Sequence, residues 1–185
     1  MGIALAECAS KMGANVNLVL GPVDIKPLSK DINVINVTTA KSMAEACMSL
    51  FPDSDIAILT AAVADFMPVS VADNKIKKQE DDILLKLKPT TDIAATLGKM
   101  KKQGQIIVGF ALETNDELEN AQKKLLRKNM DFIVLNSLND KGAGFGYDTN
   151  KITIIDRNNI IDKFELKSKD EVAQDIINKI VLITQ

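Results

Sequence analysis

Residues 106–136 read IIVGFALETNDELENAQKKLLRKNMDFIVLN. The stretch opens on a short apolar run, 106–111, and closes on another, 131–136. Between them, residues 115–128 carry Leu118, Ala121 and Leu125 on one helical face, which the spacing turns inward. A strand, an amphipathic helix and a second strand in this order make a unit whose strands lie parallel. Outward from it the alternation continues. Residues 55–62, DIAILTAA, are apolar at successive positions, as a central strand covered on both faces should be. Residues 16–20 and 33–37 are shorter strands, the first ended by Gly21-Pro22. One helix carries Leu5, Cys8, Ala9 and Met12 and stops at Gly13. Another carries Met43, Cys47 and Leu50, is capped by Thr38 or Thr39, and ends at Pro52-Asp53. A short helix starts at Thr91 or Asp92 and runs to Met100.

Between 66 and 89 the regularity fails. Pro68 and the polar run 72–82 read as a flap loop, and 83–87, ILLKL, as a strand or hairpin arm. Residues 151–156 and 160–166 form a hairpin around Asn158-Asn159, residues that tolerate turn conformations. Ser168 and Glu171 make a capping box for a last helix with Val172, Ile176, Ile177, Ile180 and Ile183 inward. The fold class is therefore α/β: a Rossmann-like three-layer fold with a mostly parallel sheet, a flap loop, and a C-terminal hairpin and helix. One domain over residues 1–185 is expected. Such a sheet normally opens on a strand, whereas this chain opens on a helix, which puts the first strand-to-helix turn upstream of Met1.

Composition excludes several function classes. The chain has no histidine, which removes Ser-His-Asp and Cys-His catalysis and His-ligated metals. Net charge is −2, so bulk electrostatics does not favour nucleic acid, and any anion site must be a local cluster of cations. Aromatic residues are 4% with no Trp, too few for a base-stacking platform. Cys8 and Cys47 are too few and too distant for a zinc or redox motif and fit a reducing cytoplasm. The first residues, MGIALAECASKM, lack the pattern of a signal peptide, and Ala6 stands where myristoylation needs Ser or Thr. No apolar stretch approaches the length of a membrane span, so no membrane partner is expected.

Ligands of a doubly wound sheet bind at the carboxyl ends of its strands. The run 61–66, AAVADF, supplies small residues that let a flat ligand approach the backbone, and Asp65 a carboxylate; close packing and helix capping are the alternative. The loop 73–78, DNKIKK, holds three lysines suited to a polyphosphate, or is a solvated loop. Lys124 and Lys128, four apart, border the apolar stripe of their helix, whereas Lys123 and Arg127 point away. Snorkelling stems would look the same. Thr90-Thr91-Asp92 opens a helix, where capping competes with anion binding. Phe110, next to Gly109, either stacks on a base or closes the core. The run 142–146, GAGFG, is followed by a turn and strand rather than a helix, so it is no dinucleotide fingerprint. An NAD-type protein would need such a fingerprint after its first strand.

In order along the chain, MGIALAE from Met1, LVLGPV from Leu18, LTAAVADF from Leu59, KIKK from Lys75, TTDIAATLG from Thr90, VGFALET from Val108, AQKKLLRKNMDFIVLN from Ala121 and GFGYDTNKITII from Gly144 resemble phosphopantothenoylcysteine synthetase (phosphopantothenate–cysteine ligase). This is the bacterial type often fused behind a flavin decarboxylase in coenzyme A biosynthesis. The resemblance implies a cytoplasmic, homodimeric ligase that joins 4′-phosphopantothenate to L-cysteine with CTP and Mg²⁺ through an acyl-cytidylate. It carries nucleotide contacts onto Ala61, Asp65, Lys75, Thr91, Asp92, Ile93, Phe110, Lys124 and Lys128. It makes Lys75 a catalytic flap residue, puts Ala62 beside the reacting acyl-phosphate, and matches Asn136 to a strand-ending Asn motif. It points to no metal ligand. The family pattern also holds, upstream of the methionine matched by Met1, a first strand and an Asn-x-Ser-Ser-Gly-Lys-like segment. An N-terminally shortened ligase domain is thus the expectation, and a non-catalytic nucleotide-binding or dimerising remnant the alternative. Lys88-Pro89-Thr90-Thr91 departs from the family pattern by one residue of register.

Overall fold

The computed structural model describes residues 1–72, 74–77, 83–113, 116–137 and 147–184. In chain order the elements are α1 (Gly2–Lys11), β1 (Asn17–Leu20), β2 (Asn33–Asn36), α2 (Ala40–Leu50), β3 (Ile56–Leu59), β4 (Phe66–Pro68), β5 (Leu87–Pro89), α3 (Ile93–Met100), β6 (Ile106–Glu113), α4 (Glu117–Arg127), β7 (Phe132–Ser137), β8 (Thr149–Asn150), β9 (Ile152–Asp156), β10 (Ile161–Lys163), β11 (Lys167–Ser168) and α5 (Lys169–Thr184). The strand–helix–strand unit that decides the fold is β6, α4 and β7, and its strands are parallel.

A five-stranded sheet has the order β10-β9-β7-β6-β3. β3, β6 and β7 are parallel, while β9 and β10 join antiparallel. β1 and β2 form a separate parallel pair. Alternate residues of the strands feed two cores. Ile106, Val108, Phe132, Val134, Ile152 and Ile154 pack with Leu5 and Cys8 of α1 and Val172, Ala173, Ile176 and Ile180 of α5. Ile107, Ala111, Ile133, Leu135 and Ile155 pack on the other face with Ala44 of α2, Leu97 of α3, and Ala121 and Leu125 of α4. The period of two along each strand and of 3.6 along each helix thus yields three layers.

Several expectations need correction. The strand expected over 55–62 is Ile56–Leu59, and it is the edge strand beside β6 rather than a central one. It reads apolar throughout because Ile58 packs on one core while Ala57 and Leu59 pack on the other. Helices on both faces, not neighbours on both edges, make its residues apolar. Leu118 is 41% exposed, so of the expected stripe only Ala121 and Leu125 are buried. Ile183 is exposed in the last turn of α5 and Met12 just past α1, where no neighbouring layer covers them.

The remaining features follow local chemistry. Thr39 caps α2 in a capping box with Ser42. Ser168 Oγ donates to Glu171 at 2.6 Å, and that bond and the Ser168 N–H hold the Glu171 carboxyl below its ordinary value. Asn159 takes φ 63°, and the Asp156 carboxylate accepts from Asn158 and Ile160 N–H, both at 2.9 Å. Of the run 83–87 only Leu87 is in a strand; the hairpin pairs β4 with β5, and Pro68 and Pro89 sit in it as only edge strands allow. The GAGFG run, Asp73 and Lys78 lie outside the described residues. No helix among the described residues is long and apolar enough to cross a membrane.

Candidate active site

Leu59, the last residue of β3, stands opposite Gly109, so Thr60 onward leaves the sheet at the level of Phe110. A Cβ on Gly2 would stand 2.8 Å from Thr60 Oγ1, so α1 begins against this strand end. The chain then turns tightly, with Val63 N–H donating to Ala61 O at 3.2 Å. Ala61, Ala62 and Asp65 are exposed, and their small side chains leave the backbone open to a ligand. Phe110 is half-buried and packs on the α1–α5 core.

Thr90 fastens this segment to the next one. Its N–H donates to Asp65 O at 2.9 Å and its hydroxyl to Ala64 O at 2.6 Å. Two residues on, Asp92 caps α3 by accepting the Ala95 N–H at 3.0 Å. The first N–H groups of this short helix have no intrahelical acceptor, and Asp92 takes one of them. Lys128 Nζ bonds both oxygens of Asp92, at 3.0 and 2.9 Å. Its side chain is only 12% exposed. Burial would raise the Asp92 carboxyl. The Ala95 N–H, the Lys128 ammonium and the charge of Arg127 outweigh it and hold the group below its ordinary value.

The exposure pattern of α4 agrees with its sequence: Lys124 and Lys128 are half-buried, Lys123 and Arg127 exposed. Lys124 lines a surface depression of about 340 Å³ with Asn120, Lys123 and Arg127. Lys123 also pairs with Glu119 at 2.5 Å. Sequence reading set Arg127 aside, yet its charge reaches both the depression and Asp92; a third cation three residues after Lys124 was the signal. Lys75 is exposed on the β4–β5 loop and forms no hydrogen bond or ion pair with the described residues. Thr91 is exposed, and Ile93, the first residue of α3, is buried. Asn136 accepts from the buried Asn150 amide at 3.3 Å. The structure therefore joins Ala61–Asp65 to Thr90–Asp92 and Lys128 and brings the Arg127 charge to Asp92, whereas Lys124 lines the depression with Asn120, Lys123 and Arg127 and Lys75 makes no contact with these groups.

Among the described residues no three acidic or thiol groups gather as a metal site. Mg²⁺ bound with a nucleotide needs only one or two carboxylates besides phosphate oxygens, and exposed Asp65 fits that demand.

Residues 1–183 match the family model described as DNA/pantothenate metabolism flavoprotein C-terminal domain. The chain is 62% identical over 183 residues to a cysteine/cysteine sulfinic acid decarboxylase from an unknown prokaryotic organism, covering 99% of this chain and 51% of that protein. It is 45% identical over 185 residues to the coenzyme A biosynthesis bifunctional protein CoaBC of Bacillus subtilis (strain 168), covering 100% and 45%. The chain thus spans about half the length of these relatives. A crystal structure of the C-terminal domain of a coenzyme A biosynthesis bifunctional protein CoaBC superposes with a TM-score of 0.82 at 34% identity, covering 98% of this chain and 81% of that one. Matched over residues 1–183 by the family model, the chain belongs to the DNA/pantothenate metabolism flavoprotein C-terminal domain family.

Proposed function

We propose that this domain is the phosphopantothenate–cysteine ligase of a coenzyme A pathway protein, acting through an acyl-cytidylate. The observation that carries the reading is the nearly buried Lys128 ammonium, fixed on the helix-capping Asp92 beside the turn that leaves β3. Lysine has three donors, and two are spent on Asp92, so the third is aimed rather than free to wander. A phosphate receiving it also meets the first N–H groups of α3.

A free carboxylate is a poor acylating agent because its leaving oxide is too basic. In the proposed reaction the carboxylate oxygen of 4′-phosphopantothenate bonds to the α-phosphorus of CTP, and pyrophosphate leaves with the electrons of the broken P–O bond. The cysteine amine then bonds to the acyl carbon, the bond to cytidylate breaks, CMP leaves, and the amine proton passes to water. Such chemistry asks for charge neutralisation and positioning more than a side-chain base, which suits a chain without histidine. Lys124, Arg127 and Lys128 neutralise the phosphates, Lys75 closes over them from the arm, and Phe110 stacks on the base. Backbone at Ala61 and Ala62 approaches the acyl-phosphate, Thr91 and Ile93 shape the wall, and Asp65 meets Mg²⁺ carried by the nucleotide.

A cytoplasmic setting suits the free thiols of Cys8 and Cys47. A second copy covers the apolar arm, where Phe66, Val71, Leu84 and Leu85 are exposed. A flavin decarboxylase occupies the other half of the full-length protein, and residues 1–185 form one synthetase domain.

The test is the purified chain with CTP, Mg²⁺, 4′-phosphopantothenate and cysteine. The expected result is pyrophosphate release that needs phosphopantothenate and CMP release that needs cysteine. Nucleotide binding without turnover would make the domain a remnant. Release of CO₂ from cysteine by this chain would instead assign it the activity named for its 62%-identical relative.

A further inference from the structure

α4 ends in an arrangement that fixes more than the helix. Lys128 is its terminal cap, and Asn129 follows at φ 54°, a left-handed position. Asn129 N–H donates to Leu126 O at 3.2 Å and Met130 N–H to Leu125 O at 3.0 Å. These two bonds are a Schellman closure, and buried Met130 and Leu125 supply its apolar contact. Glycine is the usual residue there; asparagine brings a side chain, and both ends of it are used. Asn129 Nδ2 donates to Gly98 O of α3 at 2.8 Å. Its Oδ1 accepts from Arg157 Nη1, in the turn after β9, at 2.9 Å.

Gly98 is the other half of the contact. A Cβ at Gly98 would lie 2.0 Å from Lys128 O and 2.9 Å from Lys128 C. Only glycine lets α3 rest directly on that carbonyl. Lys128 thus has its backbone against residue 98 and its ammonium on residue 92. Six residues of helix separate those points, about 9 Å along α3. The Lys128 side chain and the Asp92 carboxylate together bridge that span, so movement of the residue 128 backbone moves the charge off Asp92.

We propose that Gly98, Asn129 and Arg157 are positioning residues that hold Lys128 in register on α3 and thereby set the anion site's affinity. The inference rests on the reading of Lys128 as a nucleotide ligand. Its test uses two readouts on the whole chain: binding of CTP with Mg²⁺, and the titration of the Asp92 carboxyl followed by carbon NMR. The variants are Asn129→Gly, which keeps the left-handed backbone and removes only the two side-chain bonds, Gly98→Ala, and Lys128→Ala.

In Lys128→Ala, CTP binding weakens and Asp92 titrates nearer its ordinary value. Asn129→Gly should do the same in milder form, roughly three- to tenfold in affinity, the worth of about one net hydrogen bond. Gly98→Ala should exceed it. In the Lys128→Ala background, Asn129→Gly should have no further effect on either readout. An Asp92 titration unchanged in Asn129→Gly, or an affinity loss that persists undiminished without Lys128, overturns the positioning role. Wild-type CTP affinity in Lys128→Ala overturns the nucleotide role of that lysine instead, while the Asp92 titration still decides whether residue 129 positions it. Because Gly98→Ala risks misfolding, Asn129→Gly carries the decision.

Discussion

Asp92 caps a helix through the Ala95 N–H and receives an ammonium from another helix. Replacement by alanine removes both, and loss of the cap alone costs about 1 kcal/mol. Asp92→Asn keeps a good cap and loses only the charge. The carboxyl is held below its ordinary value of 3.8 in the folded chain, so its charged form stabilises the fold fully above that value. As pH falls through the depressed value the contribution disappears. Denaturant melts of wild type and Asp92→Asn should therefore differ near neutrality and converge in acid; a gap that widens below pH 4 would contradict the assignment. Capping of α3 was legible, because Asp before an apolar helical run is a local signal. The Lys128 partner was not, because it depends on how α3 and α4 pack. Helical spacing set Lys124 and Lys128 beside the apolar stripe, where snorkelling stems would look the same; the resemblance, not the spacing, marked them as nucleotide ligands. Arg127 was marked by neither, because its influence on Asp92 is exerted through space rather than along the apolar stripe.

At the scale of elements, the sheet's central unit was readable because strand and helix periods are imposed by burial itself. α5 shows the energetic side of this. Ile176 is fully buried against β7 and β9 residues of one core. Ile176→Ala should cost about 2–5 kcal/mol in a denaturant melt, since the cavity adds to the lost transfer energy. A loss under 1 kcal/mol would mean the helix repacks. Gly109 offers the opposite probe. A Cβ there would meet the Met130 Sδ at 2.3 Å, and that flexible end must move. Gly109→Ala should cost about 1–3 kcal/mol, and less when it is made in a Met130→Ala background. What the sequence hid at this scale was the rank of β3. Its residues look central because helices cover both faces, and which strands lie at an edge is decided by order across the sheet. Leu118 misled for a related reason: periodicity gives the face of a residue but not whether the neighbouring layer extends that far.

For the whole molecule, the β4–β5 arm is the feature least explained by one chain. Leu84 is 98% exposed, and Val71 is 82% exposed in the same arm. Such apolar surface on a short hairpin suits cover by another copy. Sedimentation of the wild-type chain should give a dimer, and Leu84→Asp with Leu85→Asp should shift it to monomer while the melting curve of the core changes little. A wild-type monomer at tens of micromolar would remove the dimer. The order of segments along the chain revealed the family, since no single run specifies it; the contact of the 64–65 turn with Thr90, and of Asp92 with Lys128, is a property of the fold. We propose that Ala61–Asp65, Thr91–Ile93, Lys124 and Lys128 serve one nucleotide. The most direct test is amide shift mapping by NMR as CTP with Mg²⁺ is added to the chain. Saturable shifts should concentrate in those segments and at Phe110, with the α1–α5 core of Val172 and Ile176 quiet. Shifts scattered over unrelated surfaces, or none at millimolar CTP, would contradict the proposal.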